Sequence, residues 1–377
     1  MYRGFSNREI TFAQEARNAA EVHLDAFQDV VSYSGYFNVD KENNASLFFW
    51  YFPSANDYQN DPVVLWLQGG PGSSSLYGLF IENGPFAVES DGSVSLREYS
   101  WHKNHSLIFI DQPVGTGFSY TNNFYVTNQT EKNDFFISGE SYAGKYVPAI
   151  GYTILKNNPT ASLKINLQGL LIGLTDKNGV QTYNEIERMI IELINKEDYA
   201  RATEVFNGFF DYFISDTGLE NVYNFLKQEL DDPDYWETFL NSDEVRKALH
   251  VGNQVYSSQS DPVYDSLKPD MMKSVAPWIS ELLSNYRILL YNGQLDIIVC
   301  YISTANYLQV LDFDSTEEYL NATRKVWYVD DYVAGFSKSA GNLTEVMVRN
   351  AGHMVPADQP KAAYDLLYKF VRNIRLA

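Results

Sequence analysis

The feature that most constrains the fold is the stretch DFFISGESYAGKYVPAI, residues 134–150. Its first five residues form an apolar run typical of a buried strand, and the residues after Ser141 follow a helical pattern. Ser141 stands at the junction, with Gly139 before it and Ala143 after it. A strand that turns sharply into a helix requires small residues around the turn, because the backbone there is strained. We therefore predict an α/β fold in which Ser141 is exposed at the end of a strand.

Other short apolar runs predict further strands at residues 32–39, 47–52, 63–67, 106–110, 164–173, 287–292, 325–329 and 345–350. Between Val180 and Pro269 helical patterns follow one another instead, which indicates an inserted helical cap. The chain ends in a predicted helix whose broad apolar face comprises Ala363, Leu366, Leu367, Phe370, Val371 and Ile374. We therefore predict a mostly parallel sheet, with a core at 1–174 and 270–377 and a cap at 175–269.

The charge excludes several classes of partner. The formal net charge is -20 and the pI about 4.6, and no basic stripe is present, so we expect neither nucleic acid nor an anionic membrane surface as a partner. No stretch approaches the roughly 18 apolar residues that a membrane span requires. The acidic surface fits a protein of acidic compartments and ordinary solubility equally well.

Five N-x-[ST] sequons bear on the cellular compartment, at Asn44, Asn104, Asn128, Asn321 and Asn342. Their number favours the secretory route, with a lysosomal or extracellular location. The single cysteine, Cys300, excludes an intramolecular disulfide and taken alone would favour the cytosol. No apolar segment of a signal peptide is visible near the N-terminus, so we expect either that one was removed or that the protein is not secreted.

A serine hydroxyl needs a general base to act as a nucleophile. Of the five histidines, His353 lies in the loop NAGHMVPADQP after a predicted strand, whereas the other four fit structural or solvent-facing roles. An α/β hydrolase places its triad in the chain order Ser, Asp, His. Asp296, at a glycine-containing turn after a strand, fits the acid that orients the histidine. It fits an ordinary turn residue as well, and other acids lie between Ser141 and His353.

The segment WLQGGPGSSS, residues 66–75, follows a predicted strand and is rich in glycine. A loop of this kind can present backbone N–H groups to a developing oxyanion. One N–H from this loop and the N–H of Tyr142 would together form an oxyanion hole. A plain tight turn is the alternative interpretation.

Taken together, these segments resemble the serine carboxypeptidase family, nearest to its vitellogenic carboxypeptidase-like branch. The matching stretches occur in family order from about residue 30: SGYFNV, VVLWLQGGPGSSSLYGLFIENGPF, SLIFIDQPVGTGFSY, DFFISGESYAGKYVPAI, EVRKALHVGNQ, ILLYNGQLDIIV and AGHMVPADQP. The resemblance implies an α/β-hydrolase-type fold and a serine-type carboxypeptidase that acts through an acyl-enzyme. The implied substrates are peptides with a free C-terminal carboxylate. No cofactor or metal is implied, and a homodimer is left open.

The resemblance also implies roles for individual residues. They are the triad Ser141, Asp296 and His353, the oxyanion-hole amides of Gly70 and Tyr142, the substrate-carboxylate group Gln68, Gly69, Glu82 and Glu140, and Met354 in the leaving-group pocket. Many family members have asparagine in place of Gln68.

The protonation of the two glutamates in this group decides whether they repel or bind a substrate carboxylate. Ionised, they would repel a substrate carboxylate; sharing protons, they can donate hydrogen bonds to it, and clustered carboxyls raise one another's pKa. The opposite limit comes from His353, which must be neutral to accept a proton. We therefore predict an acidic pH optimum together with a lowered pKa of His353.

Two departures from the family pattern are visible. Strands 106–110 and 134–138 are expected to be parallel neighbours, which requires a crossover that is usually helical. The intervening residues have no helical pattern, and without a helix one face of the sheet would be exposed. A second segment of roughly two dozen residues, the size of a helix and its turns, is missing after LLIGLTD. Ser73 stands where relatives often carry a cysteine.

Three alternative functions follow from these patterns. An esterase or acyltransferase could use the same triad. A non-catalytic partner or storage protein would keep the motifs on a frame that no longer holds a working site. A metallocarboxypeptidase is disfavoured, because no histidine lies in an H-x-x-E or H-E-x-x-H pattern.

Overall fold

The computed structural model describes residues 7–121, 134–161, 164–172, 181–228 and 234–377. Within these ranges a ten-stranded sheet forms the centre of the molecule. Its strands in spatial order are β1 (Tyr33–Asp40), β2 (Ala45–Phe52), β6 (Ser106–Ile110), β3 (Val63–Leu67), β7 (Phe135–Gly139), β8 (Leu167–Ile172), β9 (Arg287–Gly293), β12 (Leu343–Val348), β11 (Tyr332–Ala340) and β10 (Lys325–Val329). A separate hairpin consists of β4 (Phe86–Val88) and β5 (Val94–Leu96).

The strands from β6 to β12 in this order pair in parallel, and the strands outside them at both edges pair antiparallel. The predicted mostly parallel α/β sheet is thereby confirmed. β3 shows why such strands are continuously apolar: Val64 and Trp66 are buried on one face, and Leu65 and Leu67 on the other.

Helices pack against the sheet, and several follow one another between β8 and β9. They are α1 (Asn7–Ala20), α2 (Ala143–Asn157), α3 (Gln181–Asn195), α4 (Tyr199–Thr217), α5 (Tyr235–Leu240), α6 (Asp243–Ala248), α7 (Asp261–Met271), α8 (Ala276–Leu283), α9 (Tyr301–Val310), α10 (Thr316–Asn321), α11 (Val355–Asp358) and α12 (Pro360–Val371). One core cluster includes side chains of α2, α8 and α9, and the other includes side chains of α12. Within the described ranges, no helix has the length and apolar character needed to cross a membrane.

The parallel strands bring the predicted site residues to one edge of the sheet. Gln68 follows β3, Glu140 and Ser141 follow β7, Asp296 follows β9 by a short turn, and His353 follows β12. The carboxyl ends of parallel strands lie at the same edge, and that edge is where open α/β sheets bind their ligands.

The predicted neighbourhood of β6 and β7 is wrong. Both strands pair with β3, one on each side, so β3 separates them. The crossover between β6 and β7 therefore passes over β3 and does not join adjacent strands. In its described part, residues 112–121, no helix is present; the remainder lies outside the described residues. The second predicted gap also falls mainly outside them, since α3 begins only at Gln181.

One face of the β1–β2–β6 region is incompletely covered by the described residues. On its other face, Trp50 and Phe109 are fully buried. On the incompletely covered face, Phe49 and Ile110 are only partly buried, and Phe37, stacked on Phe49, is 41% exposed. Leu47, on the same face of β2, is buried in a cluster with Val114, so the predicted exposure of one apolar face of the sheet stays a prediction.

Other sequence predictions differ from the structure in detail. The helix predicted at the C-terminus ends at Val371, and Ile374, predicted on its apolar face, is exposed beyond that end. β11 was not predicted, because its alternation is interrupted by small and polar residues. The predicted cap boundary at 269/270 falls inside α7, and the boundary at 174/175 lies outside the described residues.

Candidate active site

Ser141 occupies a strained turn between β7 and α2. Its φ angle is 59°, in the left-handed region that side chains other than glycine rarely adopt. Gly139 permits the turn, because a Cβ there would lie 2.7 Å from the Cβ of Ala143 and 2.8 Å from the carbonyl oxygen of Leu67. The small residues that singled out this stretch in the sequence therefore have a steric cause.

His353 and Asp296 form a buried pair. The Nδ1 atom of His353 lies 2.9 Å from Oδ2 of Asp296, and the two residues are 7% and 5% exposed. The other carboxylate oxygen of Asp296 accepts a hydrogen bond from the Val299 N–H at 2.9 Å. Because a carboxylate accepts, the ring proton lies on Nδ1, and Nε2 carries the free lone pair. This is the tautomer that a general base of this kind requires.

The electrostatic surroundings of His353 differ from the sequence prediction. Burial lowers the pKa of the ring, but the charge and hydrogen bond of Asp296, with a further contribution from the charge of Glu82, outweigh burial and raise the pKa above its usual value. The predicted lowering of the His353 pKa is therefore wrong. The acid that fixes the tautomer also stabilises the protonated ring.

Ser141, Asp296 and His353 line one cavity, together with Glu140, Tyr291, Asn292, Gly293, Val299 and Val355. Among the described residues there is no hydrogen bond between Ser141 and His353. Such contacts are often long before substrate binds. The three predicted triad residues therefore lie at one cavity, without a hydrogen bond between Ser141 and His353.

The glycine-rich loop after β3 packs directly against the serine turn. A Cβ on Gly69 would lie 2.6 Å from the Tyr142 nitrogen and 2.8 Å from the Ser141 Cβ, so only glycine fits there. Gly70 has a φ of 98° and precedes a cis peptide bond to Pro71. The backbone of this loop therefore lies directly against the backbone of the serine turn at Tyr142.

Asp111, which follows β6, holds the same loop through hydrogen bonds. Its Oδ1 atom accepts hydrogen bonds from the Ser74 hydroxyl and, at 3.1 Å, from the Ser75 N–H, and its Oδ2 accepts one from the Phe118 N–H at 2.9 Å. Burial raises the pKa of this fully buried carboxyl to about 7. Gly117 is equally constrained, since a Cβ at this position would collide with the Asp111 carboxylate.

The predicted substrate-carboxylate residues form a connected group. The Trp66 indole N–H donates to Gln68 Oε1 at 2.9 Å, and Gln68 Nε2 donates to Glu140 Oε1 at 2.8 Å. Because an indole is only a donor, this contact settles which end of the Gln68 amide faces Glu140. Trp66 was missed by the sequence analysis; its position two residues before Gln68, on the same face of a strand, was the available signal.

Glu82 and Glu140 are both almost fully buried and interact directly. Apart from the contacts of Glu82 with Glu140 and Gln68, the Glu82 oxygens and Oε2 of Glu140 have no hydrogen-bond partner among the described residues. Burial raises the pKa of Glu82 to about 7, and burial together with the charge of Glu82 raises that of Glu140 well above its usual value. The pair therefore retains a proton at mildly acidic pH.

The local structure around Glu82 explains its position. Glu82 ends a single π-helical turn, Gly78–Glu82, where a Cβ on Gly78 would collide with the Trp66 indole. Arg97 holds the following turn by donating to the carbonyl oxygens of Phe80 and Gly84. π-helical turns are rare and recur at functional sites.

The remaining predicted site residues are placed as follows. Met354 is half-buried beside His353, at the start of α11. Of the sequons, Asn44, Asn321 and Asn342 are exposed, and the amides of Asn321 and Asn342 donate to the carbonyls of Glu317 and Leu283. Asn104 accepts from the Tyr364 hydroxyl, and Asn128 lies outside the described residues.

Comparison with known proteins shows which family this sequence belongs to. The sequence profile described as serine carboxypeptidase matches residues 24–131, 123–230 and 219–373. The chain belongs to the serine carboxypeptidase family. Membership makes it a serine-type peptidase of α/β-hydrolase fold whose substrates are peptides, so the predicted family, enzyme class and reaction are confirmed.

The relatives agree with this membership. The venom serine carboxypeptidase of Apis mellifera is 43% identical over 411 residues, which cover 95% of this chain and 88% of that protein. The vitellogenic carboxypeptidase of Aedes aegypti is 43% identical over 413 residues, covering 96% and 87%. The human probable serine carboxypeptidase CPVL is 38% identical, covering 90% and 83%. The match to the bee protein is longer than the 377 residues of this carboxypeptidase, so that relative contains segments without a counterpart here.

A solved structure agrees with the fold. The prohormone-processing carboxypeptidase Kex1(Δ)p of Saccharomyces cerevisiae matches with a TM-score of 0.79 at 23% identity, and the match covers 95% of this carboxypeptidase and 96% of that chain. At this identity the similarity concerns the fold alone.

Proposed function

We propose that this serine carboxypeptidase uses Ser141 as nucleophile, His353 as general base and Asp296 to orient and stabilise the histidine. The observation that carries the proposal is the buried His353–Asp296 contact of 2.9 Å in the cavity that Ser141 also lines. His353 Nε2 accepts the Ser141 proton as Oγ attacks the scissile carbonyl, and it then gives that proton to the leaving amine. Water hydrolyses the acyl-enzyme by the same route.

The amides of Gly70 and Tyr142 are proposed to stabilise the oxyanion. Support comes from the contact of Gly69 with the Tyr142 nitrogen, which holds the loop after β3 against the start of α2. Donors fixed in this way need no reorganisation as negative charge develops on the substrate oxygen.

Glu82, Glu140 and Gln68, with the backbone at Gly69, are proposed to bind the C-terminal carboxylate of the substrate, next to a leaving-group pocket that Met354 lines. The unpaired carboxyl oxygens of Glu82 and Glu140 support this, because protonated carboxyls without another partner are available to donate to a carboxylate. This requirement for a proton favours a carboxypeptidase over an esterase on the same triad. It is also the basis for a mildly acidic pH optimum, which the raised pKa of His353 limits to pH values close to neutral.

The secretory route, with a lysosomal or extracellular location, is proposed from the sequons. Asn44 and Asn321 are exposed and accessible to a glycan. Digestion of protein purified from animal cells with an N-glycosidase should lower its mass, and Asn44→Gln and Asn321→Gln should each remove part of that change. An unchanged mass after digestion would contradict the glycosylation.

The decisive experiment combines labelling and turnover. Purified protein is treated with a fluorophosphonate probe and mapped by peptide mass spectrometry, and a peptide with a free C-terminus is followed by mass for stepwise loss of its last residues. Label on Ser141 with residue release, both lost in Ser141→Ala, is the expected result. A folded protein without label would instead support the non-catalytic alternative.

A further inference from the structure

A short segment that follows α4 passes between the loops that carry Asp296 and His353. We call residues 221–227, NVYNFLK, the brace segment. It lies within the predicted cap and follows the left-handed Gly218 that ends α4. Asn221, which is buried, shapes its turn by accepting hydrogen bonds from the N–H groups of Tyr223 and Asn224, both at 3.0 Å.

The brace segment contacts the Asp296 loop on both sides of the carboxylate residue. The Phe225 N–H donates to the Leu295 carbonyl at 3.2 Å, and the Ile297 N–H donates to the Val222 carbonyl at 3.1 Å. These two hydrogen bonds involve the residues immediately before and after Asp296. They fix the backbone from which its side chain reaches His353.

The brace segment also contacts the His353 loop. The His353 N–H donates to the Tyr223 carbonyl at 2.7 Å, and the two rings pack edge to face with centroids 5.3 Å apart. Gly352 allows this approach, since a Cβ there would lie 2.3 Å from the Tyr223 oxygen. The same segment therefore contacts His353 itself and both chain neighbours of Asp296.

Asp358 joins the brace segment to the His353 loop through side chains. Its Oδ2 atom accepts hydrogen bonds from Asn224 Nδ2 at 2.9 Å and from the Gly352 N–H at 2.7 Å, and its Oδ1 pairs with Lys227 at 2.8 Å. The Asp358 side chain is only 9% exposed. A buried carboxylate with three donors is a strong cross-link, because hydrogen bonds to ionised groups are stronger than neutral ones.

We propose that the brace segment, cross-linked through Asp358, positions the Asp296–His353 pair and so makes part of the predicted cap responsible for the orientation of the base. Asp358 and Asn224 are positioning residues in this proposal, since they act through the two loops. The proposal rests on the proposed function, which assigns His353 the role of base.

Displacement of either loop would affect the reaction and the titration of His353 together. Small misplacements of reacting groups lower rates by about 100-fold. The charged groups that face His353 are Asp296 on the loop after β9, Glu82 from the π-helical turn and Glu140 at the end of β7. Of these three groups, only Asp296 is held by the brace segment. Loosening the brace segment should therefore leave the effects of Glu82 and Glu140 on His353 unchanged.

The test replaces the Asp358 carboxylate and uses Asp365 as a matched control. Asp365 likewise accepts a side-chain N–H, from the Trp327 indole at 2.9 Å, and pairs with a lysine, Lys369, at 2.8 Å, but it lies on α12 and away from the cavity. Asp358→Leu removes the acceptors at similar size, Asp358→Asn keeps an acceptor for the N–H donors, and Asp365→Leu removes an equivalent cross-link elsewhere. Folding of each variant is checked by circular dichroism.

Two readouts are taken from each folded variant. The first is the rate of fluorophosphonate labelling at Ser141 between pH 5 and 8. Asp358→Leu should be labelled about 10- to 100-fold more slowly than the wild type. The acidic limb of its pH profile should also lie at lower pH, because a weaker Asp296 contact raises the His353 pKa less. The second is the low-field NMR signal of the His353 Nδ1 proton, which needs no activity and should be lost in Asp358→Leu. Asp358→Asn and Asp365→Leu should keep both properties close to those of the wild type.

The outcomes separate the two proposals. Normal labelling, pH limb and NMR signal in a folded Asp358→Leu variant would overturn the positioning role, and so would equal losses in Asp365→Leu. Failure of the wild type to label, with the Nδ1 signal present and sensitive to Asp358→Leu, would refute the proposed function and leave the positioning intact. If Asp358→Leu does not fold, the isosteric Asn224→Asp, which places a carboxylate against Asp358, breaks the same link and takes its place.

Discussion

Gln68 Nε2 donates a 2.8 Å hydrogen bond to Glu140 Oε1, which joins the loop after β3 to the residue immediately before Ser141. The bond couples the group proposed to bind the substrate carboxylate to the turn that carries the nucleophile. Recognition of the C-terminus and placement of Ser141 therefore depend on the same short connection.

The first prediction concerns the pH dependence of kcat/KM for two matched peptides. The raised pKa of His353 sets the acidic limb, because the base is protonated and inactive below that pKa. Glu82, with a pKa of about 7, sets an alkaline limb for a peptide with a free C-terminus, because its proton is lost above that pH. The C-terminal amide of the same peptide needs no such proton and should lack the alkaline limb. Equal alkaline limbs for both peptides would contradict the proton-sharing role.

The second prediction concerns Glu82→Gln. An amide donates a hydrogen bond at every pH, so the alkaline limb for the free peptide should move to higher pH. The preference for the free peptide over its amide at pH 5 should be largely retained, because the glutamine amide still donates to the substrate carboxylate. Glu89→Gln, at an exposed position, should change neither property. Steady-state kinetics of both variants on both peptides provides the measurement.

The third prediction concerns Gly69→Ala. Its new methyl group would lie 2.6 Å from the Tyr142 nitrogen, so the loop must move away from the serine turn. Loss of one oxyanion donor costs about 100- to 1,000-fold in kcat, and labelling of Ser141 should slow comparably. Gly208→Ala, in α4 with open space around it, is the control and should leave labelling unchanged while stabilising the helix by about 1 kcal/mol. Equal labelling of both variants would remove Gly69 from the site.

The fourth prediction concerns stability and Asp111. Its pKa rises from 3.8 to about 7 on folding, so the folded state holds a proton that the unfolded state has lost in that interval. A carboxyl with a raised folded pKa stabilises at low pH, and this contribution is lost as pH rises from 3.8 through about 7. Between pH 5 and 7.5 the loss is on the order of 2 kcal/mol.

Asp111→Asn cannot titrate and should therefore lose less stability than the wild type over that interval, although it is less stable at pH 5. Urea denaturation at both pH values measures the difference. Burial lowers the pKa values of the half-buried His102 and the fully buried His105 to about 4. These histidines change stability in the opposite direction but contribute equally to both proteins. An unchanged difference between wild type and variant across the two pH values would show that Asp111 does not titrate there.

Features that depend on residues close together in the sequence were predicted better than features that depend on distant ones. Strands such as β3, β6 and β10 were predicted with their observed ends, because a continuous apolar run or an alternating one is a local signal. β11 was missed for lack of such a signal. The order of strands was mistaken at β6 and β7, since β3 enters between them from an earlier part of the chain.

The predicted site residues Ser141, Asp296 and His353 do lie at one cavity, yet Trp66 and the brace segment were not anticipated. A motif marks side chains whose chemistry is distinctive. A residue that holds another in place through a backbone carbonyl, as Tyr223 holds His353, leaves no mark in its residue type.

The sequence by itself determined the chemistry available to this protein: a serine fenced by small residues, a histidine and an acid in hydrolase order, and two glutamates near the nucleophile. The tertiary structure decided the protonation of these groups. Burial places Glu82 and Glu140 beside each other, and it places Asp296 against His353, which raises a histidine pKa that the sequence led us to expect lowered. The reason is physical: a pKa depends on the solvent and charges within a few ångströms, and these come from distant parts of the chain.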